Sequence, residues 1–147
     1  MIDESVLKLL DNGIPYHIIF VLEYNEQIKI CAAYKDISPG GILKITSKYF
    51  YTEWASKENT KLKINGLTLD TVYEEFIRQI AGGNLQEVTG NIREDITKCE
   101  AKKKLKKEIE RLEKKARAEK QPKKKFELAT EVKKLKKKLE KLTEKGK

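Results

Sequence analysis

Leu128, Val132, Leu135, Leu139 and Leu142 recur at intervals of 4, 3, 4 and 3. A repeat of this kind draws one narrow apolar seam along a helix and leaves its other faces to water. Such a segment buries its seam only against another helix. Upstream, Ile92, Ile96 and Cys99 begin a second stripe, and Leu105, Ile109, Leu112 and Ala116 continue it after a lysine-rich gap at 102–104. Pro122 stands between the two runs, where a first-turn proline loses no helical hydrogen bond. The spacing predicts an antiparallel helical hairpin, a coiled coil, over residues 88–147. A turn near 121–122 sets Leu112 beside Val132, Ile109 beside Leu135 and Leu105 beside Leu139. Each arm of some thirty residues reaches about 45 Å at 1.5 Å per residue. So narrow a seam draws its stability from the paired helix or from a second copy of the chain.

Charge divides the chain at the same place. Residues 1–82 hold 9 Lys+Arg against 11 Asp+Glu, and residues 83–147 hold 23 against 12. A near-neutral half is therefore joined to a half carrying +11. Such asymmetry points to nucleic acid, an acidic membrane face or an acidic protein partner. The longest uninterrupted apolar run, Ile18 to Leu22, is far short of the roughly 20 residues of a spanning helix. The acidic start, Asp3 and Glu4, is unlike a secretory signal. Cys31 and Cys99 form no CxxC pair, which argues against a disulfide framework or zinc site and fits two free thiols in a cytoplasmic protein.

Residues 1–82 read as an α+β domain with a small, mainly antiparallel sheet and flanking helices, followed by a hinge at 83–87. Ile2, Val6, Leu9 and Leu10 have helical spacing, with Gly13 and Pro15 as stops. Tyr16–Tyr24 and Ile28–Tyr34, split by Asn25-Glu26-Gln27, read as a β-hairpin. The first run lacks polar alternation and is expected to be the more central strand. Ser38-Pro39-Gly40-Gly41 is a loop. Ile42–Thr52 is a strand with Trp54 at its end, Ser56–Thr60 a polar connection, and Lys61–Asn65 a short strand. Thr68 or Asp70 can cap a helix whose stripe is Leu69, Val72, Tyr73, Phe76, Ile77 and Ile80, closed by Gly82-Gly83.

No catalytic set assembles from these residues. His17, the single histidine, lies on an apolar strand and reads as structural; alone it excludes most histidine-based metal sites. Glu23, Asp36, Lys29 and Lys35 do not have the spacing of a metal-dependent nuclease. Ser38 lacks a G-x-S-x-G frame, and Gly40-Gly41 lack the Gly-Lys-Ser/Thr of a phosphate loop. No metal or cofactor is expected. Tyr49, Tyr51 and Trp54 gather at a strand end, either as core or as an aromatic platform for bases or a protein partner. The largest signal is the lysine runs: Lys102, Lys103, Lys104, Lys106 and Lys107; Lys123, Lys124 and Lys125; Lys133 and Lys134; and Lys136–Lys138. They are either a solvated helical face or a weak, non-specific contact for DNA or RNA backbone. The preference for lysine over arginine argues against base-specific fork contacts.

The stretch "GIPYHIIFVLEYNEQIKICAAYK" resembles a passage of a bacterial and archaeal family, domain of unknown function 4391, in which a short helix leads to a Pro-Tyr-His strand, a polar tip and a second strand. "YFYTEW" is similar to that family's aromatic-Thr-acidic-Trp strand end. "LDTVYEEFIRQIAG" is similar to its next helix, and "QPKKKFELATEVKKLKKKLEKL" to its Lys-Glu-Leu tail. The resemblance covers nearly the whole chain. It implies a setting beside helicases and DNA methyltransferases of restriction-like systems. Members of that family usually carry a further N-terminal segment of several tens of residues, and Met1 here begins almost at the pre-strand helix, so the chain reads as a short homologue, a fragment or one half of a split protein.

Three roles are expected from these readings. In the first, the chain is a non-enzymatic accessory or adaptor of a DNA-targeting defence system, docking through its basic arm onto a helicase- or methyltransferase-like partner or onto nucleic acid. In the second, it is a component of a metal-dependent nuclease whose site is incomplete here. In the third, it is a structural homodimer joined through the arm.

Overall fold

The computed structural model describes residues 2–85 and 89–144, and of residue 144 only the backbone. The chain divides into two compact units, Met1–Gln86 and Glu87–Lys147. Of the segment expected as a hinge, Gly83 and Asn84 close a single 3₁₀ turn, Gly82–Asn84, while residues 86 and 87 lie outside the described ones.

The first unit is an antiparallel sheet held between two helices, an α+β fold. It runs α1 (Glu4–Gly13), β1 (Phe20–Tyr24), β2 (Gln27–Ile37), β3 (Leu43–Tyr51), β4 (Ala55–Ser56) and α2 (Leu69–Ala81). The centre of the sheet is β2, and β1 is an edge strand, the reverse of the expectation from its unbroken apolarity. β2 pairs with β1 through residues 27–31 and with β3 through 31–37, and β4 rejoins it at Gln27 and Ile28. Small side chains qualify β2 for that place. Cys31 and Ala32 are fully buried and Ala33 nearly so, and their low bulk lets a helix approach each face. The hairpin between β1 and β2 turns on Asn25 and Glu26, both at positive φ, 48° and 61°. That pair of angles gives the turn whose twist matches two antiparallel strands.

One face of the sheet carries Cys31, Ala33 and Tyr49, which pack on Leu7 of α1 with Phe20, Leu22 and Ile45 around them. On α2, Tyr73, Ile77, Ile80 and Ala81 are buried, and the Tyr73 hydroxyl donates to the Ala33 carbonyl at 2.5 Å. Between Ala33 and Lys35 the register with β3 shifts. The Tyr34 amide donates instead to the Ser47 hydroxyl at 2.8 Å, so the bulge leaves no buried donor unmet.

Two sequence expectations give way here. The apolar stripe whose spacing predicted α1, Ile2, Val6, Leu9 and Leu10, is about half exposed or more rather than buried. The residues that α1 buries are Leu7 and Asp11, because an ion pair described below draws the opposite side of the helix onto the sheet. Nor do residues 61–65 form a strand. The Gln79 side chain accepts from the Lys63 amide and donates to the Lys63 carbonyl, both at 2.8 Å. One side-chain amide thus does the work of a ladder rung.

Helix α2 opens with a capping box in which the Thr68 hydroxyl accepts from the Thr71 amide and the Thr71 hydroxyl accepts from the Thr68 amide. Gly66 lies just before it at φ 138°. A Cβ there would stand 2.6 Å from the Thr71 hydroxyl oxygen and 2.8 Å from the Val72 amide nitrogen. Gly66→Ala is therefore expected to lower stability by about 1–3 kcal/mol through backbone strain and a displaced cap. Urea denaturation should show an earlier midpoint with an unchanged slope.

The second unit consists of α3 (Ile92–Ala118) and α4 (Pro122–Glu144). Asn91 caps α3, its side chain accepting from the Arg93 amide at 3.0 Å. The two helices form an antiparallel hairpin. Ile109, Leu112 and Val132 are its buried core, with Leu128, Leu135 and Leu139 packed around them. These are residues of the seam, brought together by a turn just ahead of Pro122.

Candidate functional site

Three arrangements in the structure carry chemistry. The first is closed to solvent. The Lys35 and Asp11 side chains are each about 1 % exposed and pair at 2.7 Å. The Lys35 ammonium also donates to the main-chain carbonyls of Asp11 at 2.6 Å, Ile14 at 3.1 Å and Tyr16 at 2.7 Å. The second carboxylate oxygen of Asp11 accepts from the Tyr49 hydroxyl at 2.7 Å. Burial, and then the bond to Asp11, push the Tyr49 hydroxyl far above its ordinary pKa. The cluster fastens the end of α1 and the chain that follows it to the sheet, but it gives no substrate a way in. His17 lies nearby, its ring stacked on Tyr73 with centroids 3.9 Å apart. Burial lowers its pKa, opposed by the charge of Asp70.

The second arrangement is a groove of about 990 Å³ beside the start of α1, floored by Leu22, Tyr24, Lys29, Tyr51 and Trp54. The expected aromatic platform is split by the structure. Tyr51 and Trp54 reach the groove, whereas Tyr49 is 6 % exposed and bonded to Asp11, so it belongs to the core. The π faces that remain already have a cation. The Lys29 ammonium lies 5.2 Å from the Tyr51 ring centre and 5.8 Å from that of Trp54, within cation–π range. Burial, and then the charge of Glu4, push the Tyr51 hydroxyl up to about 12. Asp3, Glu4 and Glu23 also line the groove, and Glu23 pairs with Lys57 at 2.7 Å. Three carboxylates make this a poor place for a phosphate.

The two acids considered for nuclease chemistry do not converge. Glu23 is paired across the sheet with Ile28. Asp36 lies eight residues further along β2, roughly 26 Å away at the rise of a strand, where it accepts from the amide of Ile37. Among the described residues there is no group of three or more His, Cys, Asp or Glu side chains placed to hold a metal ion. Both cysteines are free thiols, and burial pushes that of Cys31 up to about 11. No described helix is long and apolar enough to cross a membrane.

The third arrangement is the surface of the hairpin. Lys103, Lys104, Lys106 and Lys107 on α3, and Lys123, Lys124, Lys125, Lys133 and Lys134 on α4, are exposed; Lys102 is half-buried. Some cations are used within the unit. Lys136 reaches across to Glu113 at 2.8 Å, and Arg111 pairs with Glu108 one turn away on its own helix. Full neutralisation is impossible, because residues 87–147 hold 12 acidic side chains against 23 basic ones. The apolar seam, by contrast, is satisfied inside the unit. What the hairpin offers outward is mainly charge, together with the exposed ring of Phe126.

Two features of these sites escaped the sequence reading. Asp11 sits one turn after Leu7 on the same side of α1, a polar residue in a core position, and that pairing was its signal. Phe126 is 74 % exposed and falls out of phase with the leucine seam, which marks it as an aromatic the hairpin does not use for packing. A family model described as a domain of unknown function (DUF4391) matches residues 1–139. No curated protein and no solved structure matches the chain.

Proposed function

Because the chain belongs to the DUF4391 family, which as a domain of unknown function assigns it no activity, its surface is the guide to its role, and we propose that it is a non-enzymatic, cytoplasmic accessory protein of a DNA-targeting, restriction-like system whose basic helical hairpin contacts the phosphate backbone of nucleic acid. The observation that carries this reading is the pairing of a closed seam with an unbalanced surface. The apolar seam is buried where α3 meets α4, while residues 87–147 hold eleven more basic than acidic side chains. Phosphate supplies what the unit lacks, and the binding it gives is independent of sequence and steeply dependent on salt. Lysine is suited to such contacts as a point charge on a flexible stem. The restriction-like setting rests on the genomic neighbours that the family resemblance implies. A helicase- or methyltransferase-like protein is the other partner onto which the arm would dock.

Gel-shift titration with DNA of unrelated sequences tests the reading. Comparable affinity for each is expected at low salt. With about four phosphates contacted, a fourfold rise in salt should weaken binding roughly a hundredfold. No shift at low salt would remove nucleic acid as the partner. Cleavage of the DNA in magnesium or manganese, lost on Glu23→Ala or Asp36→Ala, would establish a nuclease instead.

A further inference from the structure

We infer that the outward face of α4 and the tip of the hairpin form a contact for single-stranded nucleic acid, in which Phe126 stacks on a base while neighbouring lysines hold the strand's phosphates. This rests on the reading of the arm as a phosphate-binding element and goes further by naming the form of nucleic acid it takes.

Two independent observations lead there. The first is where the charge concentrates. Along the shafts of α3 and α4, glutamates recur among the lysines, but residues 114–125, which form the tip, hold seven Lys+Arg and one acid, Glu119. That carboxylate is turned onto the Gln121 amide at 2.9 Å. The first turn of α4 contains no acidic residue, although an acid there is what the partial positive charge of a helix start favours. Lys123, Lys124 and Lys125 stand there instead.

The second observation is Phe126. At 100° per residue it lies on the side of α4 away from Leu128, Val132, Leu135 and Leu139, which pack on α3. Thr130, Lys133 and Lys137 follow it at i+4, i+7 and i+11, on that same outward side, and all are exposed. Thr130 turns its hydroxyl back to the Phe126 carbonyl at 2.9 Å, so it adds no competing donor at the ring. Phe126 and the ammonium groups of Lys133 and Lys137 thus share about 16 Å of the outward side, the length of a few nucleotides, while Glu127, Thr130, Glu131 and Lys134 line the hollow beside the ring.

The aromatic decides between single strand and duplex. The faces of bases in a duplex are covered by their neighbours, and inserting a side chain between them has to overcome that stacking. An unpaired base offers its face freely, and an exposed ring set among cations is the pairing that sequence-tolerant single-strand binders use. The groove of the first unit is the less suitable platform, because Lys29 already covers the rings of Tyr51 and Trp54, whereas no cation–π contact occupies Phe126 among the described residues.

Fluorescence anisotropy of the full chain with a labelled oligothymidine and with a mixed-sequence duplex of equal length, both at low salt, tests the inference. Tighter binding to the single strand is expected. Phe126→Ala should weaken the single-strand complex roughly tenfold or more and leave the duplex complex unchanged, and Phe126→Tyr should restore wild-type affinity. Phe126→Trp in a Trp54→Phe background should show fluorescence quenching on adding oligothymidine, a signal of stacking that charge alone does not produce. Equal affinity of wild type and Phe126→Ala for the single strand, or preference of wild type for duplex, overturns the single-strand inference and leaves the basic-arm reading standing. Failure of wild type to bind either form at low salt overturns both.

Discussion

Replacing Lys35 with methionine is expected to destabilise the first unit by about 3–5 kcal/mol, the cost of breaking a buried ion pair from one side. Whole domains are typically stable by about 5–15 kcal/mol, so much of the chain should unfold at low urea. Methionine preserves the unbranched stem and removes the charge. Asp11 is left as a carboxylate with about 1 % of its side chain exposed and its main electrostatic partner gone. The carbonyls of Asp11, Ile14 and Tyr16 lose their common donor in the same step. A second variant separates these effects. Replacing a buried pair jointly with apolar residues is often neutral, so Asp11→Leu with Lys35→Met should recover part of the loss. Recovery stays incomplete because the three carbonyls and the Tyr49 hydroxyl remain without Lys35 and Asp11. Urea unfolding followed by the fluorescence of Trp54, the single tryptophan, measures both. An unchanged midpoint for Lys35→Met would show that α1 is held by its apolar contacts instead.

Leu112→Ala is the corresponding change in the hairpin. Leu112 is 4 % exposed in a core whose other buried members among the described residues are Ile109 and Val132. Truncating a buried leucine costs about 2–5 kcal/mol, and a seam this narrow has little other burial to set against it. Segment-resolved hydrogen exchange should show α3 and α4 losing protection together while α2 keeps its own. Leu112→Met, which nearly conserves volume, should cost less than about 1.5 kcal/mol. Equal protection in Leu112→Ala and wild type would mean that the hairpin does not depend on its seam. The same variant should weaken phosphate binding, because the lysines of α3 and α4 are aligned only while the hairpin is closed.

What the sequence made legible was periodic. The 4-3-4-3 spacing from Leu128 to Leu142 contained the hairpin, because a narrow stripe has to be covered by another helix. The stripe from Leu69 to Ile80 likewise placed α2, although Leu69 itself is exposed, and of the two candidate caps, Thr68 and Asp70, the helix uses Thr68. Long-range polar contacts were hidden. Lys35 and Asp11 are 24 residues apart, and no local rule says that a lysine after Tyr34 will be buried. Their pairing turned α1 over, so that Val6, Leu9 and Leu10 went outward although their spacing suited a core. β2 took the centre of the sheet through the smallness of Cys31, Ala32 and Ala33, which a reading by hydropathy ranks below the bulkier Ile18 to Leu22. The candidate sites divided in the same way. The lysine runs were plain as composition, whereas the separation of Tyr49 from Tyr51 and Trp54 depended on a hydrogen bond to Asp11 that only the folded chain makes.

The edge position of β1 has a consequence for how this protein behaves when crowded. β3 presents exposed Lys44 and Lys48 along its length, and ammonium groups on a sheet border discourage other strands from joining. β1 has no lysine and leaves Val21 59 % and Tyr24 68 % exposed. Its brevity, five residues, and the charged pair of Glu23 with Lys57 are then the barriers to strand-on-strand growth. Fibril-like stacking between molecules would begin along that thinly guarded border, far sooner than through the mutually repelling cationic arms.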